Sequence, residues 1–270
     1  MRKGILYMLA SALAFAVATV FTKLVTEESS ISGIEISFFR FLLGFLFIGG
    51  FMLAKGKPII PNNFKYILQR TIFNTIAVML FFTGVQYSTI TNANMLNMTY
   101  PVFVFLFAPI INREQSSSLN LIYLLMTLLG AFFIIDPSFE AINYGDVYSL
   151  LSGIAAGFAI TTLREARKYD SSSVILFYMM GLGCVINLMV ALPSFIVPSG
   201  KPLAYILLSA ATGVLGQVWL TVGYRFISAA PGSLLSASRI LFAAILGIVI
   251  LGEPINALSL IHISEPTRPY

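Results

Sequence analysis

Apolar stretches long enough to cross a lipid bilayer recur along most of this sequence. A hydrocarbon core about 30 Å thick needs roughly 17–25 apolar residues of helix. Only helices and closed barrels satisfy their backbone polar groups in lipid, so these stretches predict an all-α membrane protein with no soluble domain. Nine of them can be marked, at residues 4–25, 34–54, 66–86, 91–111, 119–135, 146–163, 174–196, 203–225 and 231–251.

Composition and charge narrow the class of protein further. The chain is 58% hydrophobic and 10% charged, far from the values of soluble domains. Its basic residues lie mainly in short loops, where they set membrane topology, so no nucleic-acid partner is expected. Lys23 and Lys201 fall on one side of the membrane. The other side has Arg2, Lys3, Lys55, Lys57, Lys65, Arg70, Arg113, Arg164, Arg167, Lys168 and Arg225. This bias predicts a multi-pass protein of a bacterial-type inner (plasma) membrane with a cytoplasmic N-terminus.

The sequence aligns with itself in two halves. An offset of 141 matches the first span with the sixth, and an offset of 139 matches the third and fourth spans with the eighth and ninth. A unit of five spans, an odd number, enters the membrane upside down in its second copy. We therefore predict two inverted repeats of five helices, in residues 1–140 and 141–257. Pairs matched by the second offset are Gly84 with Gly223, Phe103 with Phe242 and Glu114 with Glu253.

The last residues do not fit this repeat. A tenth helix should begin near Leu258, but residues 258–270 contain the only histidine, a glutamate, an arginine and two prolines. The segment resembles the translation of a sequencing-library adapter. We expect residues 258–270 not to be native, the second repeat to have four helices in this chain, and His262 to take no part in any mechanism. The alternative is a genuine short polar tail.

Ionisable side chains within the spans are the first functional candidates. An arginine at the centre of a bilayer costs about 2.5–3.5 kcal/mol, so it usually faces a wet cavity or a partner. Arg40 lies in the second span and Arg239 well inside the ninth, and both are expected to face a cavity. The alternative for Arg40 is snorkelling to the interface, and the alternative for Arg239 is pairing with a backbone carbonyl or with Glu35. Glu35 is also the acidic residue nearest the membrane interior, and so a candidate for ion coupling.

Two spans related by the repeat carry matching polar stripes. Asn94 and Asn97 share a face of the fourth span with Tyr100 beside them, and the matching face of the ninth span has Ser236 and Arg239. Stripes at equivalent depth are expected around a central site between repeats. The alternative is hydrogen bonding between helices. Further residues of the third and eighth spans could complete the cavity, namely Asn74, Gln86, Gln217, Trp219 and Tyr224.

Motifs for catalysis are missing from the sequence. It has no metal-ligand cluster, no phosphate-binding loop and no nucleophile with a basic partner. We therefore expect neither an enzyme nor a protein with a cofactor or metal.

Three segments resemble the EamA type of the drug/metabolite transporter superfamily. They are the FFR run at Phe38–Arg40, the stretch from Gly84 to Glu114 and the stretch from Gly223 to Pro254. The resemblance extends over residues 4–257. It implies ten helices in two inverted repeats and a structural role for Glu114 and Glu253.

The resemblance and the polar residues together predict a function. We expect a secondary transporter that moves a small polar metabolite across the bilayer by alternating access, with Arg40 and Arg239 engaging its anionic groups. The resemblance implies an amino acid, a nucleoside or a compound like S-adenosylmethionine as substrate. Alternatives are a non-transporting membrane scaffold or receptor, and a channel. Substrate identity, direction of transport, coupling ion and oligomeric state stay open.

Overall fold

The computed structural model describes residues 2–113 and 143–252, together with residues 119, 121, 122, 125, 126 and 129. The first half contains α1 (Arg2–Glu28), α2 (Gly33–Ala54), α3 (Phe64–Tyr87), α4 (Ile90–Asn97) and α5 (Tyr100–Ile111). The second half contains α6 (Tyr144–Tyr169), α7 (Ser172–Ala191), α8 (Gly200–Gly223), α9 (Ala229–Ser236) and α10 (Arg239–Leu251).

The prediction of an all-α membrane protein is confirmed over these residues. Eight helical segments are long and apolar enough to cross a membrane, and they coincide with eight of the nine predicted spans. The remaining predicted span, 119–135, lies largely outside the described residues. The same is true of Glu114, Glu253 and the predicted non-native tail at 258–270 with its His262.

The fourth and ninth predicted spans are each broken into two helices. The first break lies at Met98 and Thr99, and the second at Ala237 and Ser238. At both breaks a backbone N–H bonds to the carbonyl three residues back, instead of four as in an α-helix. The N–H of Thr99 donates to Leu96 O at 3.2 Å, and that of Ser238 donates to Leu235 O at 3.3 Å. Non-helical backbone at membrane depth is tolerated only inside protein or beside a cavity.

Side chains stabilise the two breaks in the same way. The hydroxyl of Thr99 donates to Leu96 O and that of Ser238 to Leu235 O, both at 2.8 Å. Pro101 is the second residue of α5, where its missing N–H leaves no intrahelical bond unmade. Both breaks are therefore local features with their own hydrogen bonds, and they are 139 residues apart, as the repeat offset requires.

Helices from the two halves pack against each other in exchanged pairs. α1 lies against α8 and α10, and α6 lies correspondingly against α3 and α5, whereas α2 packs against its counterpart α7. This is the packing expected of two repeats related by a two-fold axis. The inverted orientation of the repeats and the repeat boundaries stay predictions.

Glycines bring α6 close to the first break. A Cβ on Gly153 would lie 3.1 Å from Asn97 O, and one on Gly157 would lie 3.1 Å from Tyr100 O. Small residues at such contacts allow two backbones to approach closely. The contact fixes the position of Asn97 and Tyr100, which face the interior of the bundle.

Candidate functional site

A cavity of about 80 Å³ lies between the two halves of the bundle. Helices of both halves contribute to its wall, including residues directly before and after both breaks. Six of the seven sequence-predicted binding residues line it, and the seventh, Asn94, contacts one of them. The polar lining residues are Ser11, Arg40, Arg70, Asn74, Asn97, Tyr100, Gln217, Ser236 and Arg239.

Arg40 extends from α2 into this cavity and is buried. Its Nη2 donates to Gln217 Oε1 at 3.3 Å. The guanidinium carbon lies 5.1 Å from the centre of the Phe15 ring and 5.7 Å from that of Phe82, within the range of cation–π attraction. The expected cavity-facing position of Arg40 is therefore what the structure has, and neither snorkelling nor pairing with Glu35 occurs.

Arg239 enters from the other half, as the first residue after the second break. Its Nε donates to Asn94 Oδ1 at 2.5 Å, whereas its buried Nη2 has no hydrogen-bond partner among the described residues. The guanidinium carbon is 4.5 Å from the centre of the Phe81 ring and 5.5 Å from that of Phe15. Arg40 and Arg239 thus share the Phe15 ring.

Asn94 holds Arg239 instead of lining the cavity. Its Nδ2 donates to Ile90 O at 2.7 Å, which leaves the amide oxygen directed at the arginine. Asn94 is fully buried, so both halves of its amide are satisfied away from water. It acts on the site through the position of Arg239.

A third arginine, Arg70, lines the same cavity and was missed from the sequence. It was counted with the basic loop residues, but it lies within α3 and is only 1% exposed. Neither Nε nor Nη2 has a hydrogen-bond partner in the part of the chain that the structure describes. Arg70 and Asn74 are four residues apart and share a helix face, a spacing that could have identified Arg70.

Amides and hydroxyls complete the polar wall. Asn97 donates from Nδ2 to Ser152 Oγ at 2.7 Å, and Gln217 donates from Nε2 to Thr221 Oγ1 at 3.4 Å. Ser236 donates to Gly232 O at 3.2 Å. Tyr100 begins α5 directly after the first break and is buried. These partners fix the side chains before any ligand binds.

No carboxylate lines the cavity in the described ranges 2–113 and 143–252. The buried carboxylates of these ranges have partners elsewhere. Asp146 accepts from Ser88 Oγ at 2.7 Å, Glu165 from Lys168 Nζ at 2.6 Å and Asp170 from the N–H of Asn62 at 2.7 Å. Three guanidinium groups therefore surround one cavity without an acidic partner there.

Glu35, the candidate for ion coupling, lies outside this cavity. Its Oε2 accepts from the N–H and the hydroxyl of Ser32, both at 2.7 Å, in a capping box that starts α2. Its Oε1 accepts from the N–H of Ile196 at 2.5 Å. These bonds account for its burial, and a coupling role stays a prediction.

The other sequence candidates divide between the cavity and its surroundings. Gln86 accepts from the N–H of Gly33 at 3.0 Å, which joins the end of α3 to the start of α2 outside the cavity. Trp219 does not line the cavity, and Tyr224 is fully buried beside Tyr100 and Ser236. Within the described residues, no group of three metal-ligating side chains occurs.

Comparison with known proteins relates this geometry to a family. Residues 2–136 and 143–264 each match the EamA-like transporter family. An uncharacterized transporter of Helicobacter pylori is 25% identical over 91% of this chain and 85% of its own length. The pseudopaline exporter CntI of Pseudomonas aeruginosa is 24% identical over 85% of this chain and 81% of its own length.

A solved crystal structure supports the same fold. It superposes with a TM-score of 0.75 at 13% identity, covering 97% of this chain and 93% of its own. The family match covers nearly the whole sequence, once in each half. This chain therefore belongs to the EamA-like transporter family and is a membrane transporter.

Proposed function

We propose that this protein is a secondary transporter of a small metabolite that carries at least one carboxylate or similar anionic group. The observation that carries this proposal is the cluster of Arg40, Arg70 and Arg239 around one cavity without an acidic residue among the described lining residues. A buried, unpaired charge costs several kcal/mol. An anionic ligand offsets that cost, because guanidinium groups bind carboxylates through paired, charge-assisted hydrogen bonds.

The charge of the site favours some of the expected substrates over others. An amino acid brings a carboxylate to the three arginines, whereas an uncharged nucleoside brings none. A compound like S-adenosylmethionine has a carboxylate, but its ammonium and sulfonium groups together give it a net positive charge, which the arginines would repel. A zwitterionic or anionic amino acid, or another small carboxylate, is therefore the substrate class that the site chemistry supports best.

The breaks beside the cavity support an alternating-access mechanism. The cavity of about 80 Å³ is smaller than the roughly 300–1,000 Å³ of typical small-molecule sites, so a larger substrate requires the helices to move apart. Tyr100 and Arg239 line the cavity, and each is the first residue of a half-helix that starts there. In many secondary transporters such discontinuous helices form the central site, and the two repeats rock against each other around that site.

Ligand-induced thermal stabilisation tests the binding step. The purified protein is heated with a panel consisting of a neutral amino acid, an acidic amino acid, a dicarboxylate and an uncharged nucleoside. A ligand at about 100 times its Kd stabilises the folded protein by about 2.7 kcal/mol. We expect stabilisation by carboxylates and its loss in Arg40→Gln and Arg239→Gln, with the exposed Arg2→Gln as a matched control.

Four results would argue against the proposal, two of them on the ligand and two on the transport step. Stabilisation by the nucleoside alone would show that the arginines do not select the ligand. Carboxylate binding that is unchanged in Arg40→Gln and in Arg239→Gln would place the binding site elsewhere. Binding without transport in vesicles would favour the receptor alternative, and flux that does not saturate would favour a channel.

A further inference from the structure

A second, larger cavity lies at one end of the bundle. Its volume is about 680 Å³, and it shares no lining residue with the central cavity. The wall is formed where α2 and α8 end, where α6 meets α7, and by the residues that follow α2 and α8. The charge bias of the loops predicts that this end faces the cytoplasm. Because the two cavities share no lining residue, this cavity is separate from the candidate transport site.

The rim of this cavity carries an excess of positive charge. Four basic residues and one carboxylate, Asp170, line it. The carboxylate of Asp170 is already hydrogen-bonded to the backbone. Its Oδ2 accepts from the N–H of Asn63 at 3.1 Å, and its Oδ1 accepts from the N–H of Asn62. Lys168 is neutralised by Glu165. The other three cations are Lys57, Arg167 and Arg225. They form no ion pair with a carboxylate in the described parts of the chain.

These three cations line the cavity, and the contacts that they make leave donors free of any carboxylate. Lys57 Nζ donates to Ser173 Oγ at 3.4 Å and lies 4.6 Å from the centre of the Phe51 ring. Arg167 donates from Nη1 to the main-chain oxygen of Asp170, and its buried Nε has no partner among the described residues. Arg225 is exposed to the cavity mouth. An incoming anion would meet donors that are not already used by acids.

The part of the wall that α2 forms is apolar and carries exposed side chains. Phe47 and Phe51 on α2 are 57% and 40% exposed, and they line the cavity beside buried Ile48. On the same helix, Leu46 and Leu53 are also exposed, as expected for residues that face lipid tails. A small soluble anion would not use this apolar surface, whereas an acyl chain would.

We propose that this cavity binds an anionic phospholipid, with the phosphate against Lys57, Arg167 and Arg225 and an acyl chain along Phe47 and Phe51. Basic pockets between membrane-spanning helices attract anionic headgroups, and each nearby basic residue contributes about fivefold in affinity. The bound lipid contacts the ends of α2, α6 and α8. Its binding does not depend on which substrate the protein transports.

Lipid retention measured by native mass spectrometry tests the proposal. The protein in detergent is titrated with phosphatidylglycerol, with phosphatidylcholine of the same chain length, and with inorganic phosphate as the soluble source of the same anion. The test variant is Lys57→Gln/Arg225→Gln. The matched control, Arg2→Gln/Lys201→Gln, removes one arginine and one lysine at exposed positions outside the cavity.

We expect phosphatidylglycerol to bind the parent and the control alike, and the cavity variant about 10- to 30-fold more weakly. Lys57→Arg/Arg225→Lys, which keeps both charges, should restore binding. Equal binding of phosphatidylglycerol by the cavity variant would overturn the proposal. Equal binding of phosphatidylcholine by the parent would also overturn it, because the site would then not select lipid charge. Equal binding of inorganic phosphate by the parent would overturn it as well, because the site would then not require lipid chains.

Discussion

Replacing Arg70 by methionine should make the protein more stable and transport-deficient at the same time. Arg70 is almost completely buried in α3, and two of its three guanidinium nitrogens have no hydrogen-bond partner among the described residues. A residue retained for stability would have partners. An arginine that waits for an anionic ligand destabilises the ligand-free protein.

The magnitude follows from those two nitrogens. Each buried donor without a partner costs about 1–3 kcal/mol, which gives roughly 2–6 kcal/mol for Arg70. Methionine fills most of the same space with a flexible apolar chain, but leaves part of the guanidinium volume empty. We therefore expect a net gain near the lower limit, about 2 kcal/mol, or about 4–8 °C in Tm.

Thermal unfolding of the ligand-free protein in detergent measures this gain, and uptake into proteoliposomes measures the loss of transport. The exposed Arg2→Met is the matched control, for which we expect less than about 0.5 kcal/mol of change and normal uptake. A variant of Arg70 that is less stable than the parent and still transports would refute the reasoning, since Arg70 would then be a structural residue.

Three further predictions concern the partners of the site and the topology. Asn94→Leu removes the acceptor of Arg239 and should lower the free energy of unfolding by about 1.5–3 kcal/mol, measured by thermal unfolding, and the added change Arg239→Leu should recover much of it. Glu35→Gln should weaken the capping box by about 1 kcal/mol, measured by thermal unfolding; a pH profile of uptake that equals the parent's would contradict a coupling role of Glu35, and a changed profile would support it. In a chain without its single cysteine, a cysteine at Lys201 should react with an impermeant maleimide added outside cells and one at Lys57 should not, and the reverse pattern would invert the predicted topology.

The spans could be predicted because hydropathy is a strong signal over 20 residues. The breaks at Met98–Thr99 and Ala237–Ser238 could not, because their residues are as apolar or as small as those of a continuous helix. Only Pro101 marked the first break, and a proline near a helix start is ambiguous from sequence. The hydroxyl bonds of Thr99 and Ser238 at the breaks are also of a kind that serine and threonine make within continuous helices, so these residue types do not reveal a break.

The candidate site was predicted in part for a similar reason. Arg40 and Arg239 lie far enough within their spans to be recognised as buried charges. Arg70 follows Lys65 near the start of the predicted third span, so its charge counts toward the topology bias of the cytoplasmic side. A basic residue near the end of a span can either set the topology or face a buried site. The helix face that Arg70 shares with Asn74 distinguishes the two cases and favours the buried site.

Saturable uptake of a labelled carboxylate into proteoliposomes tests the central claim most directly. The carboxylate that stabilises the protein best is supplied outside vesicles loaded with the same unlabelled compound, and exchange is followed over a range of concentrations. We predict exchange that saturates in the parent and Arg2→Gln, and falls at least tenfold in Arg40→Gln and Arg239→Gln. Equal exchange in the parent and both cavity variants would contradict an anion-binding site formed by these arginines.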